Sequence, residues 1–384
     1  MRTVHEKTIE NSGAIVVVVD NDGKAEYVSS SVKDVLGFQP EKLLGEGWFA
    51  YTGINSDERE NILSHLSGVT SGSSVTVPYE RLLRTAWGGQ KWILWKTSRA
   101  DDGKLMGIGY DITERKLKEQ QLEKRTSDLA DRNREMEASL RYAKRIQDAI
   151  LPSPSALQKY FSDSFVFYKP KDIVSGDWWW MHETEEEIYV ALIDCTGHGV
   201  PGALLSVLSH SIFREIFMNK KIRSLSEILH ETDQELYRAL NHDHDSDPYA
   251  DGMDVALLRV TKKERKVEFA GAGRPLLIQR GNEMLEQSGD PWPIGFYSGM
   301  KKKFSDRVID VREGDTLFIF SDGYSDQFGG QRNKKLGKKS FRELLLSLGG
   351  MSGEEQSSFL EYALHNWKQE EEQTDDITVI GLHF

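Results

Sequence analysis

Apolar and polar positions along the chain follow three different rhythms. Up to about residue 112, short apolar runs are broken by Gly, Asp and Ser. Residues 14–19 read as a buried strand, Asn21-Asp22-Gly23 as a hairpin turn, and residues 25–28 as the returning strand. Residues 29–37 read as a short helix. Residues 75–83, 91–98 and 105–110 read as three further strands, with turns at Trp87-Gly88-Gly89 and Asp101-Asp102-Gly103. Two strands, some helices, then three strands predict one antiparallel sheet.

Residues 113–150 change character. They contain no Gly or Pro, and Leu122, Leu129, Met136, Ala143 and Ile150 recur every seven residues, joined by Leu140 and Ile146. Nearly everything else is charged or amide-bearing. One narrow apolar seam on a long helix is the pattern of a coiled coil, and a seam needs a partner, so a parallel dimer is expected. The alternative is a single surface helix packed on its own domain. The companion seam carries Thr126, Asn133 and Gln147, which predicts a weak coil. Leu151-Pro152-Ser153-Pro154 ends the helix, because proline blocks its continuation.

From residue 152 onward, apolar strands alternate with Gly-rich turns and amphipathic helices. Acidic residues fall at the strand ends. The apolar run 188–193 ends in Asp194, and the run 316–320 is followed by Ser321-Asp322-Gly323. The run 377–382 is preceded by Asp375-Asp376, and Asp177 follows Ser175-Gly176, directly before Trp178-Trp179-Trp180. Any one of these is readable as a turn or cap residue. Brought together, such carboxylates repel and raise one another's pKa unless a cation neutralises them. Oxygen donors suit a hard divalent ion, and four Asp can share two Mg²⁺ or Mn²⁺. Two ions of that kind orient and activate water against a phosphoryl group. The three tryptophans read as core and wall. Ser224-Leu-Ser-Glu227 and Ser352-Gly-Glu-Glu355 read as capping boxes, the first opening a helix with Leu225, Ile228, Leu229, Leu236 and Leu240 on one face. Asn241-His-Asp-His-Asp-Ser-Asp247 reads as a mobile flap near the site, with metal binding as the alternative.

Composition narrows the class. The 384 residues carry a net charge of −12, which argues against a general nucleic-acid binder. Hydrophobic residues make up 38% and charged residues 29%, enough for real cores. The single cysteine, Cys195, rules out a disulfide framework and a cysteine-rich zinc site. The longest aliphatic run, residues 14–19, is far short of the roughly 20 residues of a membrane span, and no basic and apolar leader opens the chain. The expectation is a soluble, cytoplasmic protein with no membrane contact.

Two resemblances give these patterns a context. Val19-Asp20-Asn21-Asp22-Gly23, Leu36-Gly37-Phe38 and the exit Gly109-Tyr-Asp-Ile-Thr-Glu-Arg115 resemble a PAS sensor domain over roughly residues 8–115, whose exit typically leads into a signalling helix. With Cys195 outside this region, flavin-adduct photochemistry is not expected. His65, the one histidine of the domain body, reads as structural rather than as a haem ligand. A ligand-binding sensor and an unliganded dimerising one both stay open.

Lys171-Asp-Ile-Val-Ser-Gly-Asp177, Asp194-Cys-Thr-Gly-His-Gly-Val-Pro-Gly-Ala203, Gly252-Met-Asp-Val-Ala-Leu257, Phe320-Ser-Asp-Gly-Tyr324 and Thr374-Asp-Asp-Ile-Thr-Val379 occur in that order. They resemble the SpoIIE/RsbU-type serine/threonine phosphatases of the PPM superfamily, and Tyr142-Ala-Lys-Arg-Ile-Gln-Asp-Ala-Ile-Leu-Pro152 is similar to the helix that enters that domain. The resemblance implies an α+β multidomain chain: a PAS-like domain over 1–112, a coiled-coil helix over 113–151 and a sandwich phosphatase domain over 152–384. It implies two Mn²⁺ or Mg²⁺ ions, with Asp194 bridging both, the Cys195 carbonyl as a ligand, Asp177 serving one ion directly or through water, and Asp322 and Asp375 completing the other. Asp376 takes a supporting role. Lys171 and Ser175 would contact the substrate phosphate. His198 reads either as a general acid for the leaving oxygen or as a loop residue ahead of a helix. The implied activity is hydrolysis of phosphoserine or phosphothreonine by water that two ions activate, on a phosphorylated STAS-domain anti-sigma antagonist, in a homodimer joined through PAS and coil. A catalytically degenerate scaffold that binds a signalling partner is the alternative.

Overall fold

A computed structural model describes residues 13–20, 22–55, 57–58, 60–61, 77–99, 104–219, 224–240, 251–264, 266–295 and 301–384. His65, the Asp101-Asp102-Gly103 turn and the 241–247 loop lie outside the described residues. The chain divides into two compact units, residues 1–133 and 134–384.

In the first unit, β1 (Ile15–Val19), β2 (Ala25–Val28), β3 (Tyr79–Arg84), β4 (Gln90–Arg99) and β5 (Leu105–Asp111) form one antiparallel sheet in the order β2-β1-β5-β4-β3. The third strand starts later than its apolar pattern suggests. Pro78 offers no amide to a ladder and Val77 is exposed, so pairing begins at Tyr79. The short helix α1 (Val32–Leu36) ends at Gly37, whose φ of 81° lets its amide donate back to the Val32 and Lys33 carbonyls. Helix α2 (Gly47–Thr52) lays Trp48 and Phe49 on the sheet, Trp48 edge-on to Trp95 at 5.5 Å. Val17, Trp48, Phe49, Leu83, Trp95 and Leu105 line a pocket there.

Helix α3 (Thr113–Ile150) contains 38 residues, and Gln147 is its one buried side chain. Leu122, Leu129 and Met136 are each more than 60% exposed. Two prolines, Pro152 and Pro154, follow its end.

The second unit has four layers. After the single-turn helix α4 (Ser155–Gln158) come β6 (Phe165–Lys169), β7 (Asp177–Glu183) and β8 (Glu187–Cys195), then helices α5 (Gly199–Asn219) and α6 (Leu225–Ala239). Strands β9 (Met253–Thr261), β10 (Val267–Ala272), β11 (Leu276–Arg280), β12 (Glu283–Gln287), β13 (Arg307–Ile309) and β14 (Thr316–Phe320) follow. A short helix α7 (Gly323–Asp326), a two-residue hairpin of β15 (Phe328–Gly329) and β16 (Lys334–Lys335), helices α8 (Lys338–Leu346) and α9 (Gly353–Lys368), and β17 (Ile377–His383) complete it. One sheet has the order β13-β10-β9-β8-β7, the other β12-β11-β14-β17-β6, and all pairings are antiparallel.

The apolar runs are continuous because both faces of each sheet are covered. Ile188, Val190 and Leu192 pack between the sheets against Leu317, Ile319, Ile380 and Leu382. Tyr189, Ala191, Ile193 and Cys195, pointing the other way, pack on Phe213, Ile216, Leu229 and Leu236 of α5 and α6. Behind the second sheet, Phe167, Phe318 and Val379 meet Phe341, Leu345, Leu360 and Leu364 of α8 and α9. The tryptophans are core, as expected: Trp179 faces the other sheet, while Trp178 and Trp180 face the helices. Ser352 opens α9 with a complete capping box, and Ser224 accepts the Glu227 amide at the start of α6.

This helix-covered wall carries one pH dependence. His210 stacks edge-on to Trp178 at 5.3 Å, and burial, then the Arg214 charge, holds its pKa below the ordinary value. The unfolded chain therefore binds the proton first. The neutral ring's contribution is complete above about pH 6.5 and is lost as pH falls below it. The stability gap between the wild type and His210→Phe, measured by urea unfolding, should shift in favour of the Phe variant between pH 7.5 and pH 5.5. A gap that does not change with pH would contradict this.

Candidate active site

Strand register builds one side of the site. Asp177 pairs with Asp194 across β7 and β8, and Asp194 pairs with Asp254 across β8 and β9. All three share the parity of the residues that face the second sheet, so three carboxylates stand in a row at one end of the sandwich. The second sheet contributes Asp322, just beyond β14, and Asp375 and Asp376, just before β17. The expected aspartates thus come from the facing ends of both sheets.

Burial dominates the electrostatics. It pushes Asp177 up to about 7 against hydrogen bonds from Ser321 and Thr378, the Thr378 hydroxyl donating to Asp177 Oδ2 at 2.7 Å. It lifts Asp194 well above the carboxylate range, and Asp177 adds to the effect. Asp254 and Asp375 are raised by burial as well. Such a cluster requires positive charge nearby.

Arg274 supplies it. It is 9% exposed and follows Gly273, just beyond the end of β10. One terminal nitrogen donates to both Asp194 and Asp322, the latter at 2.9 Å. Its Nε lies 3.2 Å from Asp254 Oδ2 without a hydrogen bond. The backbone there leaves no room for other side chains: at Gly273, with φ of 73°, a Cβ would fall 2.1 Å from Asp254 Oδ1. Arg274 and Asp254 have no role in the sequence expectations.

Asp376 holds a loop. Its two carboxylate oxygens accept the Lys171 and Gly176 amides, both at 2.7 Å, fixing the 171–177 segment beneath Asp177. Gly176 is required there, since a Cβ would lie 2.5 Å from the Gly197 carbonyl oxygen and 3.1 Å from that of Cys195. The Cys195 backbone therefore faces this loop. Its thiol points into the core near Ser209, and burial raises its pKa far out of reach of a thiolate nucleophile.

Ser175 does not fit an expected substrate contact. It is fully buried, its hydroxyl accepts the Asp177 amide at 3.1 Å, and its own peptide groups are taken by Gln147. Gln147 Nε2 donates to the Ser175 carbonyl at 2.6 Å and to the Ser206 hydroxyl at 2.9 Å, while the Ser175 amide donates to Gln147 Oε1 at 3.1 Å. Ser175 is a positioning residue. Lys171 and His198 do reach the surface together: His198 Nε2 is 2.8 Å from Lys171 Nζ, and His198 Nδ1 is 2.9 Å from Asp172 Oδ2.

Among the described residues, no three His, Cys, Asp or Glu side chains are grouped tightly enough to hold an ion by themselves. The donor chemistry nevertheless fits one. The side chains are all carboxylates, Asp177 and Asp194 are buried enough to demand a cation, and Arg274 already stands in as one between Asp194 and Asp322. Among the described residues, no helix is long and apolar enough to cross a membrane.

Two antiparallel sheets with helices outside and aspartates gathered at one end define a PP2C-like phosphatase fold. The solved SiaA-PP2C domain of Pseudomonas aeruginosa matches it with a TM-score of 0.61 and 30% identity, over 66% of this chain and 99% of that domain. The chain belongs to the stage II sporulation protein E (SpoIIE) family, which it matches over residues 184–384, and residues 9–117 match the PAS fold. The phosphoserine phosphatase RsbP of Bacillus subtilis (strain 168) is 24% identical over 192 residues, 49% of this chain and 45% of that protein. The chain thus covers less than half the length of this curated relative.

Proposed function

We propose that the protein is a metal-dependent serine/threonine phosphatase, controlled by its PAS domain, that removes phosphate from a phosphoprotein. The observation that carries this reading is the row Asp177–Asp194–Asp254 on one sheet opposite Asp322 on the other, in a chain of the SpoIIE family. Asp177, Asp194, Asp322, Asp375 and the Cys195 carbonyl would hold two divalent cations, Mn²⁺ or Mg²⁺. When bound, the ions would supply charge for the phosphoryl group and lower the pKa of water.

The chain's own residues do the rest. Thr378 and Ser321 fix Asp177, and Asp376 fixes the loop that carries Lys171. Lys171 and His198, at the rim, would meet the phosphate or the leaving oxygen. Asp172 at Nδ1 orients the His198 ring and leaves Nε2, which accepts from Lys171 Nζ, as the atom that would take or pass a proton. The substrate class is a phosphorylated STAS-domain protein, and the working form is a cytoplasmic homodimer paired through PAS and the exposed seam of α3. A second reading, a scaffold that binds without turnover, draws on one observation, the cation of Arg274 among the aspartates.

The full chain, given a phosphoserine STAS protein, should release phosphate with Mn²⁺ and not with EDTA. Stable binding of that partner with no release in Mn²⁺ would favour the scaffold and sink the enzyme.

A further inference from the structure

Arg274 lies directly against Asp194, and it touches carboxylates from both sheets at once. Its place is fixed from behind. A Cβ at Gly271 or Gly289 would come within 2.2 or 2.3 Å of the Arg274 carbonyl oxygen, so the backbone is closely packed there and any movement is left to the side chain. Its Nε is buried and unbonded, although it faces Asp254 at 3.2 Å. The guanidinium thus holds Asp194 and Asp322 through one terminal nitrogen and meets Asp254 by charge alone. It cannot become neutral, because arginine stays protonated in proteins.

We propose that Arg274 is the resident counter-cation of the ion-free site, and that loading a divalent ion is an exchange in which the ion displaces the guanidinium from Asp194 and Asp322. This rests on the metal-dependent reading above. Two of the three carboxylates that Arg274 touches are those the ions would use, and the guanidinium cannot stay between them when an ion binds both. Asp254 is left as the carboxylate to which the displaced side chain remains tethered. The ion-free domain is thereby spared the repulsion of its own aspartates, at the expense of ion affinity. The site would load only where free Mn²⁺ or Mg²⁺ is high enough to compete.

The test is calorimetric titration of Mn²⁺ into the EDTA-stripped full chain, for the wild type, Arg274→Gln and Arg274→Lys, with thermal melts of ion-free and loaded forms. Arg274→Gln should bind Mn²⁺ at least tenfold more tightly than the wild type. Its ion-free form should melt lower, while the loaded forms converge. Arg274→Lys keeps the charge without the fork and should lie between. In the wild type, adding Mg²⁺ should bring the Arg274 Nε–H, assigned by its loss in Arg274→Lys, from slow into fast solvent exchange. Equal or weaker Mn²⁺ binding by both variants, or an Nε–H that stays protected with Mg²⁺ bound, would overturn the exchange and leave Arg274 a structural brace. Failure of the wild type and both variants to bind Mn²⁺ at all would overturn the metal-dependent reading itself.

Discussion

Asp194→Ala should lower phosphate release from a phosphoserine substrate at saturating Mn²⁺ by at least about 10³-fold. The size follows from its position. Asp194 is the middle residue of the carboxylate row, paired with Asp177 on one side and Asp254 on the other, and it also accepts a hydrogen bond from Arg274. Charge stabilisation of a phosphoryl group by bound ions is worth several kcal/mol, and about 4 kcal/mol corresponds to roughly 10³ in rate. The loss should be chemical and not structural. In the ion-free protein this carboxylate is strained by burial and by Asp177, so removing it relieves repulsion even as it costs an Arg274 contact. Steady-state release and an ion-free melt, measured together, check both halves. A variant that keeps a tenth or more of the activity would refute the role.

Gln147→Leu should be the most destabilising single change on α3. The shape is nearly kept, but three hydrogen bonds go, and the amide and carbonyl of Ser175 are left buried without partners. Orphaned buried groups cost about 1–3 kcal/mol each, so a loss on the order of 3 kcal/mol is expected. For a unit of this size that is on the order of 10 °C in melting temperature. Phosphate release should fall as well, because the Ser175 hydroxyl accepts the amide of Asp177. A melting temperature within 2 °C of the wild type would refute the anchor.

Much of this architecture was legible in the residues alone. Continuous apolar runs announce strands buried on both faces, and their acidic ends announce where the sandwich opens, so Asp177, Asp194, Asp322 and Asp375 could be named before any pairing was known. Asp254, although part of the Gly252-Met-Asp-Val-Ala-Leu257 motif, was given no role. It lies one residue inside β9, and only the β8–β9 register places it beside Asp194. Arg274 sits in a turn, where an arginine ordinarily faces water. The available signal was its setting in Gly271-Ala-Gly-Arg-Pro275, which closes a largely buried strand. Ser175 read as a contact to the substrate phosphate because the residue that covers it, Gln147, is 28 positions away. Gln147 in turn read as a weak spot in an apolar seam, when its amide is what the sandwich needs. In each case the missing information was tertiary: local pattern gives a side chain's phase, not its partner.

That amide also makes the helix tail a ruler. An α-helix advances 1.5 Å per residue, and a 2.6 Å contact passes out of hydrogen-bond range after about 1 Å of lengthening. Axial slip of less than one residue, or a modest roll about the helix axis, is enough to unhook the peptide of Ser175, two residues before Asp177. The last turns of α3 therefore carry a positional tolerance far finer than their exposed, highly charged surface suggests.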